Sequence, residues 1–403
     1  MNSGIKLVFL ALLLAVAAGC ASPAGKRIGL DQALALPDPT MRAMEFGSGL
    51  RAEVERNPAG ALEYLGKMSH GQEYSMGLRT VLGGMAAKDP DRALLLANQM
   101  ATNKDQRVVY QVLFEQFARR DPLSATRRLD KVPAGEARVN SVDTIVTVWS
   151  EQDMESALAW AKQLKNREDR TVAMTAALHL LSDRDPVRAL PLAEEHLEGE
   201  SLEYVTYRAL AVLVDQDVES ARLEVERRPH GWAWSRASLL VARAMAEDDP
   251  REALAWISTL PKGEQRNGLL NTLDIWARKS PVDAGVYIAQ MPAGTDQQTA
   301  ARQYAERRAE SDPADALNWL AQLGNESARK YATIGVAAGW ARRDPSAATK
   351  WAVALPLDNA AHVPAVEGTM SHWVLIDQEA ATMFANALQP GETRDAAFKM
   401  LDR

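Results

Sequence analysis

From Asn57 to the C-terminus one pattern returns about every 32 residues, opening at Asn57, Asp89, Asp121, Asp153, Asp185, Asp217, Asp249, Ser280, Asp312, Asp344 and Asp377. Only two intervals slip, to 31 residues before Ser280 and to 33 after Asp344. Such a period leaves a chain little freedom. Each unit is one piece of supersecondary structure that cannot bury its apolar face alone, so successive units must stack and share a core. A length of 403 residues would otherwise suggest two or three domains. No linker, low-complexity run or composition break interrupts residues 57–403, and the expectation is one continuous array.

The residue types within the unit specify helices. The opening residue is Asp in nine copies, Asn in one and Ser in one. Each type can accept a hydrogen bond from the free N–H groups of a first helical turn. Proline follows in eight copies (Pro58, Pro90, Pro122, Pro186, Pro250, Pro281, Pro313 and Pro345), at the one helical position where its missing N–H has no partner to lose. Three residues on stands Ala61, Ala93, Ala125, Ala157, Ala189, Ala221, Ala253, Ala284, Ala316, Ala348 or Ala381, one in every copy. A small side chain kept throughout marks the close passage of another helix. One turn later comes a large residue, among them Tyr64, Leu96, Trp160, Leu192, Trp256, Tyr287, Trp319, Trp351 and Phe384, so small and large form one packing stripe.

The first helix then ends at a hydrophobic residue and usually a breaker, as in Leu260-Pro261-Lys262-Gly263 and Met291-Pro292-Ala293-Gly294. A second helix of about four turns carries apolar residues at helical spacing, for example Val142, Ile145, Val146 and Trp149. Near its end a further position reads Met85, Phe117, Trp149, Leu181, Leu213, Met245, Trp276, Arg308, Trp340 and Trp373. The unit is an αα-hairpin. The expected fold is all-α, a right-handed αα-hairpin superhelical solenoid of about eleven repeats over residues 57–403.

The helix written D-P-x-x-A-L-x-W at Asp249–Trp256 resembles the second helix of the tetratricopeptide-like group of helical solenoids, and the resemblance covers residues 57–403. The unit departs from that group in being 32 rather than about 34 residues long and in lacking W-x-x-L-G-x-x-Y in its other helix.

Ahead of the repeats, Lys6 precedes an apolar run from Leu7 to Ala18, too short to cross a bilayer as a stable helix. Residues 1–19 read as a secretory signal. They end in Ala17-Ala18-Gly19-Cys20, which resembles the lipobox of bacterial lipoproteins, and Cys20 is the only cysteine in the chain. The resemblance implies acylation of Cys20, cleavage before it and, with Ala21 rather than Asp following, sorting to the periplasmic face of the outer membrane. Residues 20–27 read as the lipidated cysteine and a tether, and residues 28–56 as an N-terminal helical cap, since solenoid ends expose apolar surface unless covered.

Two units depart from the pattern. The one opening at Asp121 has Thr126 and Arg128 where apolar residues are expected, and the one opening at Asp217 has Val218, Arg222 and Glu224 in place of Pro, Leu and Trp. The second also holds Trp232 and Trp234, the two tryptophans of ten that fall outside the repeat positions. Either both fold inward to replace the missing packing, or they form an exposed aromatic anchor with Tyr204 and Tyr207 on the preceding helix. A recurrent Arg near the start of the second helix (Arg138, Arg170, Arg266, Arg329 and Arg394, with Arg107 one position off) is either a ladder for an acidic chain or a set of ion pairs to neighbouring units.

Catalytic signatures are absent from the sequence. Six scattered His and one Cys supply no metal-ligand spacing, and no Walker loop, G-x-G-x-x-G or G-x-S-x-G occurs. The net charge of −7 becomes −8 once Lys6 (+1) is removed, which argues against nucleic acid as a partner. The expectation is a non-enzymatic protein without cofactor or metal. It is a lipid-anchored scaffold that binds protein partners in envelope assembly or secretion, a role implied by the resemblance. The alternatives are an enzyme acting on cell wall or glycan and a glycan-binding module. Replacing Cys20 with Ser is expected to leave a folded protein that no longer partitions into detergent with the membrane fraction; unchanged partitioning would contradict the anchor.

Overall fold

A computed structural model describes residues 29–69, 71–100 and 103–401. The signal sequence, Cys20, the tether and Ile28 lie outside the described residues. Within them the chain forms 24 helices and no strand, packed neighbour to neighbour as an all-α solenoid. Two helices, α1 (Leu30–Leu34) and α2 (Pro39–Arg56), precede Asn57. The hairpins that follow are α3 (Pro58–Gly66) with α4 (Gln72–Ala86), α5 (Pro90–Met100) with α6 (Asn103–Arg120), and α7 (Pro122–Thr126) with α8 (Glu136–Gln152). Next come α9 (Met154–Gln163) with α10 (Arg167–Arg184), α11 (Pro186–His196) with α12 (Gly199–Gln216), and α13 (Val218–Glu226) with α14 (Trp232–Asp248). Then α15 (Pro250–Ile257) pairs with α16 (Lys262–Lys279), α17 (Pro281–Gln290) with α18 (Thr295–Ser311), and α19 (Pro313–Gln322) with α20 (Glu326–Arg343). The last pairs are α21 (Pro345–Val353) with α22 (His362–Ile376) and α23 (Gln378–Ala387) with α24 (Glu392–Leu401). Contacts divide the chain into two compact units, one of Met1–Arg184 with Pro191–Leu202 and one of Asp185–Leu190 with Glu203–Arg403.

A single residue joins most hairpins to the next; before Pro90 three residues, Ala87 to Asp89, do so. Asp153 is the last residue of one corner and the first of another: its N–H donates to the Trp149 carbonyl (2.7 Å), ending α8, and its carboxylate accepts from the Ser156 N–H (3.1 Å), starting α9. Its backbone is extended (φ −152°, ψ 93°). Met154 follows Asp153, so the cap alone suffices there; at the eight corners where a proline follows, it adds to this by crowding the residue before it out of the helical region, while itself fitting the first helical turn. Side-chain capping is seen at ten of the eleven opening residues, Ser280 being the exception.

All eleven repeat alanines are fully buried, as the packing stripe requires. The two aromatic positions of the repeat meet across the corner. Trp149 packs on Trp160 (6.0 Å between ring centres), Trp276 on Tyr287 (5.3 Å), Trp340 on Trp351 (5.9 Å) and Trp373 on Phe384 (5.2 Å). In the irregular unit at Asp121, Arg128 takes the vacant place and lies 5.4 Å above the Phe117 ring, a cation–π contact in place of an aromatic one.

Side-chain donors at the ends of second helices tie successive hairpins together. Lys88 donates to the Glu55 carbonyl (3.2 Å), Arg120 to Ala87 (2.8 Å), Arg184 to Ser150 (3.2 Å) and Arg343 to Ser311 (2.7 Å), and Lys279 reaches Glu247. Each satisfies a carbonyl that the preceding second helix leaves without an intrahelical partner, at the negative end of its dipole.

Candidate functional site

One hairpin departs from this regular stacking, and a cleft results. At the place of the repeat aromatic α18 carries Arg308, whose guanidinium pairs with Asp315. The ring that meets Trp319 is instead Tyr304, one turn earlier (4.5 Å). Tyr304 is the one large apolar side chain on α18, and alanines Ala300, Ala301, Ala305 and Ala309 fill its buried face. On the facing helix α20, Gly335 and Gly339 let the backbones touch. A Cβ at Gly335 would stand 2.2 Å from the Arg302 carbonyl oxygen, and one at Gly339 would stand 1.9 Å from that of Glu306. So α18 lies hard against α20, and on its other side a cleft of about 670 Å³ opens toward α16.

Second helices line this cleft. Asn267, Leu270, Asn271 and Asp274 come from α16, Gln303, Glu306, Arg307 and Glu310 from α18, Leu239 from α14 and Arg342 from α20. Beneath lie Leu273, Ile288 and Tyr304. Burial pushes the Tyr304 phenol up from its ordinary value, and its hydroxyl donates to the Pro281 carbonyl (2.7 Å), so it is a neutral, committed floor residue. Charges on the walls are matched to one another. Asp274 pairs with Arg307 and with Arg278 (3.7 Å), while Arg342 pairs with Glu306 and with Glu310 (3.2 Å). The amides of Asn267, Asn271 and Gln303 are exposed and form no hydrogen bond within the described protein. On the turn side of the same junction, Leu254, Ile257, Leu269, Tyr287 and Met291 border a second hollow of about 390 Å³. This junction precedes Ser280, where the repeat is one residue short and the capping bond is missing.

The aromatic residues singled out from sequence divide. Trp234 is buried, 6 % exposed, and its indole N–H donates to the Val225 carbonyl (3.0 Å) with His230 against the ring (4.2 Å). It belongs to the core and not to a contact surface. Glu224 is itself buried there, held by Arg227 and Arg228. Trp232 is half exposed at 50 %, set against the edge of Tyr207 (5.2 Å) with Arg236 over the ring (5.7 Å). Tyr204 is exposed one turn before Tyr207. Arg222 joins Glu219 and Glu226, and Glu226 in turn accepts the Trp256 indole N–H of the next hairpin (2.8 Å). The irregular unit thus stacks through an ion-pair network where its neighbours use hydrocarbon.

The recurrent arginines are engaged within the fold. Arg138 makes a two-pronged pair with buried Asp169 of the next hairpin (2.7 and 3.0 Å) and donates to the Leu129 carbonyl (2.8 Å). Arg266 approaches Asp296 (3.7 Å) and Thr299 (3.2 Å) one hairpin on. Arg170 donates to the Leu164 carbonyl (2.9 Å) and Arg329 to Leu323 (3.0 Å), closing the turn of their own hairpins. Arg394 lies over Phe398 (5.3 Å); the Arg107 side chain is outside the described residues. Each of the described arginines thus has a partner within the fold, and Arg266 and Arg329 remain exposed to solvent.

No protein-family model, curated protein or solved structure matches this chain. The cleft residues Asn267, Asn271 and Gln303 escape a reading of the repeat, since each sits at a variable, solvent-side position. The signals that do bear on them are the short interval before Ser280 and the spacing Gly335-x-x-x-Gly339. Substituting Trp234 with Ala is expected to cost ~3–5 kcal/mol, measured by denaturant unfolding. Trp232→Ala should stay within about 0.5 kcal/mol of the parent, and equal losses at the two positions would contradict the division.

Proposed function

We propose that this chain is a lipid-anchored scaffold on the periplasmic face of the outer membrane, held by acylated Cys20, and that it binds protein partners in envelope assembly or secretion. The observation that carries the binding role is the cleft between α16 and α18. It is a concave surface in which every wall carboxylate faces an arginine and three amides are left without partners. Matched charges favour holding a partner over acid–base chemistry, which needs a carboxylate or base free to exchange a proton. Tyr204, Tyr207 and Trp232 supply a second contact area, with the exposed Trp232 ring oriented by Tyr207 and Arg236. The lipobox-like residues before Cys20 support the anchor, and the tetratricopeptide-like unit supports the choice of a protein as partner.

The test is site-specific photocrosslinking in cells, with the photoreactive residue placed at Asn271 and, as a control, at exposed Gln378 on α23. A discrete protein adduct from position 271 that position 378 does not give is the expected result. No adduct from 271, or the same adducts from both, would overturn the proposed site.

A further inference from the structure

We propose that bending of this part of the solenoid is concentrated at the corner at Ser280, where α17–α20 swing as a block and change the width of the cleft against α16. The two sides of the hairpin α17–α18 are held very unequally. Toward α19–α20, the backbones of α18 and α20 touch at Gly335 and Gly339. The Trp319 indole N–H donates to the Gly285 carbonyl (3.0 Å), and its ring meets Tyr304 (4.5 Å). Gln298 donates to the Ser327 hydroxyl (2.9 Å), Arg343 to the Ser311 carbonyl (2.7 Å), and Arg342 pairs with Glu306 and Glu310. Direct backbone contact, a bonded ring and a tie at the helix end resist any change of angle between these helices.

Toward α15–α16 these devices are missing. Arg184, Lys279 and Arg343 each carry a long donor back to the preceding second helix. The residue in that place on α18 is Ser311, and its side chain makes no bond to α16. Ser280 does not cap its helix, and Arg308, at the place of the repeat aromatic, turns to Asp315 on α19. Hollows of about 670 and 390 Å³ lie on the two faces of the junction, so α16 and α18 lack the interleaved side chains that fix a helix pair. At the corner the rings of Trp276 and Tyr287 still meet (5.3 Å), which makes that end the pivot. Across the cleft the polar links among the described residues are Asp274 with Arg307, and Arg266 with Asp296 (3.7 Å) and Thr299 (3.2 Å). The four charged groups are all solvent-accessible, from 34 % exposed at Asp274 to 53 % at Arg266. Exposed pairs of this kind hold weakly and are screened by salt. Sparse packing bridged by exposed polar contacts is where a fold opens first.

The test is pulsed electron resonance on the full chain carrying Cys20→Ser, spin-labelled at equivalent exposed places on the first helices. Ala255→Cys with Asn318→Cys spans the Ser280 corner, and Val286→Cys with Lys350→Cys spans as many hairpins beyond it. The first pair should give a distance distribution about twofold wider than the second. Raising the salt from ~0.1 to ~1 M should widen the first further and leave the second unchanged. Arg307→Ala should give the first pair its high-salt distribution at low salt, while the second pair reports that the fold is intact. Equal widths, an equal response of both pairs to salt, or an Arg307→Ala variant that behaves as the parent would overturn the inference. The distances read motion and not binding, so the hinge stands or falls separately from the binding role tested by crosslinking at position 271.

Discussion

Everything in this fold depends on a corner made by a single residue. An opening Asp such as Asp153 ends one helix with its N–H and begins the next with its carboxylate, so the two helices meet with no loop between them. Because the corner has no slack, the registers of the two helices are locked together. The alanine four residues after it and the aromatic four residues before it must then fall at the same place in every hairpin. That is why the alanines are all buried and the rings meet in pairs. Proline contributes by denying the corner residue a helical conformation. Where the chain gains or loses a residue it does so between the two helices of a hairpin, the one connection with room to absorb it.

Beside the cleft the repeat is altered at several points. Ser280 makes no capping bond, the interval before it is short, and α18 has shifted its ring from the Arg308 position to Tyr304. The helix then settles against Gly335 and Gly339 on one side and leaves space on the other. A solenoid of identical steps would present a uniform wall, and the altered step interrupts it.

The fold class was legible in sequence because each feature of the unit has one local cause: a cap, a proline, an alanine, an aromatic. The irregular unit at Asp217 was legible only as irregular. Sequence alone left Trp232 and Trp234 as alternatives, and two residues on one helix turned out to differ completely because helical geometry sends them to different faces. Arg170 and Arg329 recur for a reason internal to the hairpin, bonding a carbonyl six residues back. Pattern reading alone cannot separate that from recognition of an acidic partner. The cleft was not legible. Its amides occupy positions free to vary, and its shape depends on where α18 sits against its two neighbours.

The central claim, that the opening carboxylate holds the stack, is tested most directly by comparing two corners in equilibrium unfolding of the whole chain. Asp249 accepts from the Arg251 and Glu252 N–H groups (2.8 and 3.2 Å), whereas Ser280 accepts from none. Asp249→Ala should lose about 1 kcal/mol, the usual worth of an N-cap, and Ser280→Ala should change stability by no more than a few tenths. Equal losses at the two corners, or no loss at Asp249, would contradict it.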